Sequence, residues 1–473
     1  MGKLQIGPLS LFLLVLLAVA FSLGVNAGQS TILLGIVAAC ALLIAAFLST
    51  TISLYLLVFS MLLGPEIMFG GGTTADTTVG RGTTFRFDDL LLVIIGFVWL
   101  VKAAIQKGVA PVKYTPLNGR MMFYVAACVL ATMIGMVAGR VKPLNGFFFN
   151  LKYFEYFFLY FMVVNAIRTR RQAQGLIVAS LVTCFLVSLY AIAQLAGGER
   201  ASAPFEGEVG EPNTLGGYLV FMLAIVLGLV LTPGAVPRKW PFIILMGTGT
   251  LALMATLSRA SFLAAGVVLL FVIGYTSYRK PLLFALFLTI IVSAPVWAPD
   301  VVKQRIMFTF TQAPEQGQVK VGRLKVDTST SDRLRSWQRS FDWWKQSPVW
   351  GGGITGAPFM DAMYPRILVE TGLLGVVAFG ALIWSLYRVV RQVYKQVQDP
   401  AVRGLAFGFL LGLLGLMVHA IGSNTFVIVR IMEPFWMFAA LLVMAPALTE
   451  AGQAAESETR DHSLSTMKRS SAE

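Results

Sequence analysis

Long apolar runs, following one another for most of its length, constrain this chain more than any other feature. Stretches of membrane-spanning length fall near 8–27, 31–48, 51–68, 88–105, 120–138, 146–167, 173–196, 213–232, 240–257, 260–276, 281–297, 366–388, 402–422 and 427–446. A helix needs about 20 apolar residues to cross the hydrocarbon core, and there it satisfies its own backbone. Spans of that number take up the greater part of a 473-residue chain that is 57% hydrophobic and only 13% charged. A mean hydropathy of +0.75 excludes a water-soluble globule. The expected fold is an all-α polytopic membrane protein of about 14 transmembrane helices. Its expected parts are a helical bundle over 1–297 (about 11 helices), a long loop over 298–365, C-terminal transmembrane helices over 366–446 and a disordered tail over 447–473.

Charge placement orients the bundle. Lys and Arg number 37 against 23 Asp and Glu, a net +14. Counting helices in order puts Lys102, Lys107, Lys113 and Arg120 on one side, followed by Arg168, Arg170, Arg171, Arg238, Lys239, Arg279 and Lys280. Arg388, Arg391, Lys395 and Arg403 join them there. The positive-inside bias makes that side cytoplasmic and places both termini with it. The first apolar run is too long for a signal-peptide core and is read as a retained helix. Cys40, Cys128 and Cys184 all lie inside apolar runs, and His419 and His462 are the only histidines. Neither a disulfide framework nor a His/Cys metal site is expected, and no cofactor is implied.

Four segments are sent outward: the Gly/Thr-rich loop 70–87, the loop 197–212, the turn at Ser258-Arg259 and the long stretch 298–365. The last carries Arg305, Arg323, Arg333, Arg335 and Arg339 together with Trp337, Trp343, Trp344 and Trp350. That mixture suits a surface that grips sugars and anions; it equally suits an interfacial helix, with Trp at the headgroup level and Arg reaching to phosphates. In loop 197–212, Arg200 precedes Pro212-Asn213-Thr214, where Pro and Asn open a helix and Gly216 and Gly217 permit close backbone approach. A guanidinium beside a helix N-terminus makes an anion site. In Leu257-Ser258-Arg259, an Arg stands between two apolar helices, either as a bidentate phosphate ligand or as a snorkelling anchor.

Asp361, Tyr364, Arg366 and Glu370 cluster where the long segment re-enters the membrane. A carboxylate there can take a proton from a sugar hydroxyl or cap the helix. Charges at membrane depth need a partner or a task. Lys152 and Glu155, three apart on one helix, are read as a structural pair. Arg430 and Glu433 share that spacing, and His419 is read as a packed, satisfied residue.

These residues resemble the O-antigen ligase and polymerase superfamily of bacterial envelope glycosyltransferases. The resemblance rests on Phe87-Asp88-Asp89, Arg200 with Pro212-Asn213, Leu257-Ser258-Arg259 and Arg333, Arg335 and Trp337 leading to Ser347-Pro348 and Gly351-Gly352-Gly353. Leu368-Val369-Glu370-Thr371-Gly372 completes it, in the same order along the chain. The resemblance implies a GT-C-like bundle with one long periplasmic loop in the bacterial inner membrane. It also implies inverting, metal-independent transfer of glycan from an undecaprenyl-diphosphate carrier at the periplasmic face. Arg200 and Arg259 would then hold the diphosphate. Asp361 stands where the ligases usually carry His, which favours a polysaccharide repeat-unit polymerase with Asp361 as base. Asn213, Arg333, Arg335, Trp337, Tyr364, Arg366 and Glu370 would bind substrate. The rival expectations are a ligase acting on lipid A core or protein, and a flippase or exporter of lipid-linked oligosaccharide. Expected partners are lipid-linked oligosaccharides, the bilayer and a chain-length regulator or flippase, with no nucleic acid.

Overall fold

The computed structural model describes residues 49–64, 66–69, 83–105, 112–204, 210–276, 320–321, 324–325 and 328–470, with the single positions Lys303 and Met307. The expected spans near 8–27, 31–48 and 281–297 lie outside the described residues, as do most of 298–327 and residues 70–82 of the Gly/Thr-rich loop. What is described is helical apart from two short hairpins. In chain order the elements are α1 (Thr50–Leu63), β1 (Glu66–Phe69), β2 (Thr83–Arg86), α2 (Phe87–Ile105), α3 (Asn118–Val137), α4 (Pro143–Ala166) and α5 (Arg170–Ala196). There follow α6 (Pro212–Leu231), α7 (Trp240–Ala255), α8 (Arg259–Thr276), β3 (Lys320–Val321), β4 (Leu324–Lys325) and α9 (Thr328–Trp344). The chain ends with α10 (Met363–Gln396), α11 (Pro400–His419), a single 3-10 turn (Thr425–Val427) and α12 (Val429–Ser470). β1 pairs antiparallel with β2, and β3 with β4.

Among the described residues, seven helices are long and apolar enough to cross a membrane: α3, α4, α5, α6, α10, α11 and Val429–Glu450 of α12. Three shorter apolar helices, in α1, α7 and α8, accompany them. Among the described residues the candidate spans number seven, against the 14 expected of the whole chain. α12 also runs on to Ser470, through the segment whose composition suggested disorder. Its Ala, Glu, Lys and Met are strong helix formers, and they follow directly on a helix already nucleated by its buried half.

Local chemistry sets the helix starts. Pro opens α4, α6 and α11 within the first turn, where its missing N–H costs nothing. Thr169 and Gln172 form a reciprocal capping box on α5, and Asp399 caps α11 through the N–H groups of Ala401 and Val402. α6 and α11 pack along a glycine seam. A Cβ on Gly228 would fall 2.2 Å from the backbone nitrogen of Gly408, so the two backbones touch directly. In a bilayer, where lipid is as apolar as leucine, such close packing is what joins helices. α12 lies against α4 through Trp436, whose ring meets Phe157 edge-on at 4.8 Å.

The charges at membrane depth form one inner cluster. Lys152 bridges to Glu155 at 3.2 Å, as the spacing predicted, and also reaches Asp89 across from α2. Arg430 departs from its expected partner. It donates to the carbonyls of Leu62, Pro204 and Gly64, and both Glu433 oxygens lack a hydrogen-bond partner among the described residues. The three carbonyls end α1 and the loop before α6, so Arg430 pins two irregular backbone segments to α12.

α10 is broken rather than continuous. Gly372 has φ 61 and ψ −162 inside it, and the turn segment 348–353 fills the gap. Gly352 and Gly353 donate to the carbonyls of Val369 and Glu370, while Leu373 and Leu374 donate to those of Pro348 and Val349. The orphaned groups of the break are satisfied by protein, as a discontinuous helix in a membrane requires.

Candidate functional site

The site grows from the turn between α7 and α8. Leu257 there has φ 49, a left-handed conformation that a branched side chain adopts only when its surroundings impose it. Arg200 is part of what imposes it. Its Nε donates to the carbonyl of Thr256 at 2.7 Å and its Nη2 to that of Leu257 at 3.3 Å, closing the C-terminal end of α7. Ala201 adds a backbone bond to Ala255 at 3.1 Å. Arg200 is exposed and Arg259 is half-buried at the first position of α8. The two predicted arginines thus flank one turn, separated by three residues of backbone that Arg200 itself holds.

Asn213 joins the same turn from the first turn of α6. Ser258 donates from Oγ to Asn213 Oδ1 at 2.7 Å, and Ser261 donates to Ser258 at 2.8 Å. Behind Ser261 stands His419, at the end of α11 and completely buried. Its Nε2 lies 3.1 Å from Ser261 Oγ and its Nδ1 lies 2.8 Å from Thr425 Oγ1. A Cβ on Gly216 would sit 2.1 Å from Ser261 Oγ, so only glycine leaves room for this chain of hydroxyls.

Residues 328–364 reach the same place from the other side. α9 is amphipathic, packs on α10 and carries Arg333, Arg335 and Trp337, all half-buried. Arg333 comes within electrostatic reach of His419. Ser336, on the inner face of α9, meets the Met360 sulfur at 3.1 Å. The following stretch is tied to the 420–425 region: Asn424 donates to the Met360 carbonyl at 2.8 Å, and the Met363 N–H donates to the carbonyls of Ala420 and Ser423. Asp361 lies between these ties with its side chain exposed. It does not cap α10, whose N-cap position is Ala362 with no side-chain hydrogen bond. Tyr364 donates to the Met417 carbonyl at 2.7 Å, which holds the start of α10 against the end of α11.

Arg366 and Glu370 are engaged with each other at 3.1 Å, one helical turn apart. Tyr153 donates to the second Glu370 oxygen at 2.9 Å, and the Arg366 guanidinium lies over the rings of Tyr153 and Phe359. These two residues stand on the α4 side of α10, in a buried pair that fixes the helix rather than at the turn holding Arg259. Sequence reasoning missed Tyr153 and the Ser258-Ser261-His419 chain as site residues. The first had no signal beyond an aromatic run; the second had Ser258 and Ser261 flanking Arg259, a spacing open to notice.

Arg200, Asn213 and Arg259 are thus placed at one turn, and Asp361 lies exposed on the segment tied to residues 420–425. Residues 242–372 match a family model described as O-antigen ligase. The match runs from α7 to the break in α10 and contains Arg259, Arg333, Arg335, Trp337, Asp361, Tyr364, Arg366 and Glu370. Arg200 and Asn213 precede it, yet both bond to residues inside it. No curated protein sequence matches the chain.

Proposed function

We propose, from the similarity of residues 242–372 to O-antigen ligases and the superfamily motifs around them, that this multi-pass membrane protein is a polysaccharide repeat-unit polymerase. It takes a glycan carried on undecaprenyl diphosphate at the periplasmic face of the bacterial inner membrane. It transfers that glycan to a sugar hydroxyl of a second lipid-linked repeat unit. The acceptor oxygen attacks the anomeric carbon from the side opposite the diphosphate, the carbon–oxygen bond to phosphate breaks, and the diphosphate departs with the electron pair. Asp361 receives the acceptor's proton. Arg200 and Arg259 stabilise the charge that develops on the leaving group, so that no metal is required.

The observation that carries this reading is the convergence of Arg200, Asn213 and Arg259 on one strained turn. Fixed donors cost no reorganisation when charge develops, and that is where such strain is useful. α9 and the segment after it form the outer wall of the site, with Arg333, Arg335, Trp337 and Tyr364 facing the incoming lipid-linked sugars. Arg366 and Glu370 hold that wall in place.

Purified protein in lipid nanodiscs, given lipid-linked repeat units in the presence of a chelator, should make longer glycans. Arg259→Ala should abolish elongation while leaving membrane insertion intact, and Asp361→Asn should slow turnover with little change in substrate affinity. Full activity in Arg259→Ala removes the proposed role of that residue. The description of the matched family favours one second reading, a ligase that delivers finished glycan to lipid A core or to protein. Supplying both acceptor types in one reaction separates the two: label on a non-undecaprenyl acceptor selects the ligase.

A further inference from the structure

Both ring nitrogens of buried His419 have hydrogen-bond partners, and nothing in the proposed reaction uses them. Its hydrogen bonds run in one direction. Asn213 Oδ1 only accepts, so Ser258 gives it its single hydroxyl proton. Ser258 must then accept from Ser261, which uses that residue's single proton in turn. Ser261 is left to accept, and His419 supplies the proton from Nε2–H. Nδ1 then accepts from the Thr425 hydroxyl at 2.8 Å, in preference to that hydroxyl's longer 3.4 Å contact with the Ser423 carbonyl, and both ring nitrogens of a neutral imidazole are satisfied. The far end of the chain is the Asn213 amide. With Oδ1 held by Ser258, both Nδ2 hydrogens are directed away from the serine. Arg259, next in sequence to Ser258, and Arg200, bonded to the carbonyl just before it, share that turn.

We infer that His419 is a positioning residue: through Ser261 and Ser258 it sets the Asn213 amide so that its Nδ2 hydrogens are offered to the phosphate oxygens gripped by Arg200 and Arg259. The inference rests on the proposed reading of those arginines. A buried donor relay of this kind makes a neutral amide a third, preorganised ligand for the diphosphate, and it does so from a helix 158 residues away from the serine it touches. Ser258 also fixes the turn that carries Arg259, so the same relay sets two of the three ligands.

The test compares wild type, His419→Ala, His419→Gln, Ser261→Ala, Asn213→Ala and the double variant His419→Ala/Asn213→Ala, each as full-length protein in lipid nanodiscs. Undecaprenyl diphosphate affinity is measured alongside thermal stability. Asn213→Ala and His419→Ala should each weaken affinity by about tenfold, the scale of one well-placed hydrogen bond. The double variant should bind no more weakly than Asn213→Ala, because both changes remove the same contact. His419→Gln should recover most of the loss, since its amide nitrogen takes the place of Nε2–H. Ser261→Ala, which leaves the imidazole and its packing intact, should reproduce the loss even if His419→Ala folds poorly. Multiplicative losses in the double variant, no rescue by Gln, or full affinity in Ser261→Ala each overturn the inference while leaving the arginine clamp standing. Failure of the wild type to bind the diphosphate lipid removes the clamp itself, and the inference with it.

Discussion

Arg200 joins two tasks in one side chain. Its Nε and Nη2 close the end of α7, and its exposed position at the 256–259 turn lets the same planar group meet an anion. Lysine is a point charge without the planar fork that meets both carbonyls from fixed positions. Arg200→Lys should therefore cost about 1 kcal/mol of stability through the lost backbone bond, read as a small drop in the thermal midpoint. The same change should reduce elongation by at least about tenfold, if bidentate geometry matters to the diphosphate. Unchanged elongation with a lowered midpoint would leave Arg200 a purely structural residue. Some of this was legible residue by residue. Lys152 and Glu155 pair at 3.2 Å because helical spacing alone brings them together. Arg430 carried the same signal toward Glu433 and chose carbonyls instead, one of them 368 residues away. His419 was read as a satisfied residue and is one, but its partner Ser261 lies on another helix that no local pattern points to.

Elements were more legible than their interruptions. Hydropathy located α3 to α8 and α11, and the starts of α10 and α12, to within a few residues, because the bilayer imposes both length and composition; the ends of α10 and α12 lie well beyond the expected 388 and 446. The run Glu370-Thr371-Gly372 falls inside the expected span 366–388, whereas Gly372 is the point where the helix breaks to admit residues 348–353. Ser347 to Gly353 and Leu368 to Gly372 are thus two halves of one hydrogen-bonded device, and it holds the Asp361-to-Glu370 segment against the bundle. Gly372→Ala would place a Cβ 2.4 Å from the Val349 carbonyl oxygen at a φ of 61. The left-handed backbone alone costs about 1–3 kcal/mol in a residue with a side chain, and the clash adds to it. Thermal unfolding in detergent should show a clear loss of stability, with elongation reduced in the fraction that stays folded. A variant as stable as wild type would mean that the break is adaptable and does not fix the site. α9 was anticipated as either a sugar-gripping surface or an interfacial helix, and its amphipathic form on α10 suits both.

For the molecule as a whole, the charge pattern and the site have to agree on a side of the membrane. Arg168, Arg170, Arg171, Arg388, Arg391 and Arg403 lie toward the helix ends opposite the 256–259 turn and the start of α10, as the helix order requires. In a background lacking native cysteines, Asp361→Cys should react with an impermeant maleimide added outside intact spheroplasts, and Arg391→Cys only after permeabilisation. Reversed labelling would put the site on the cytoplasmic face and remove the proposed carrier chemistry. The long-range assembly of Arg200, Asn213, Arg259 and His419 at one turn was not written in any single stretch of sequence; it arises because α5, α6, α7, α8 and α11 end near one another. The most direct measurement is the affinity of the purified protein for undecaprenyl diphosphate in wild type, Arg200→Ala, Arg259→Ala and the double variant, free of divalent ions. Two guanidiniums gripping one headgroup predict a large loss in each single variant and a double-variant loss smaller than the product of the two. Affinity that survives both substitutions together would contradict the account.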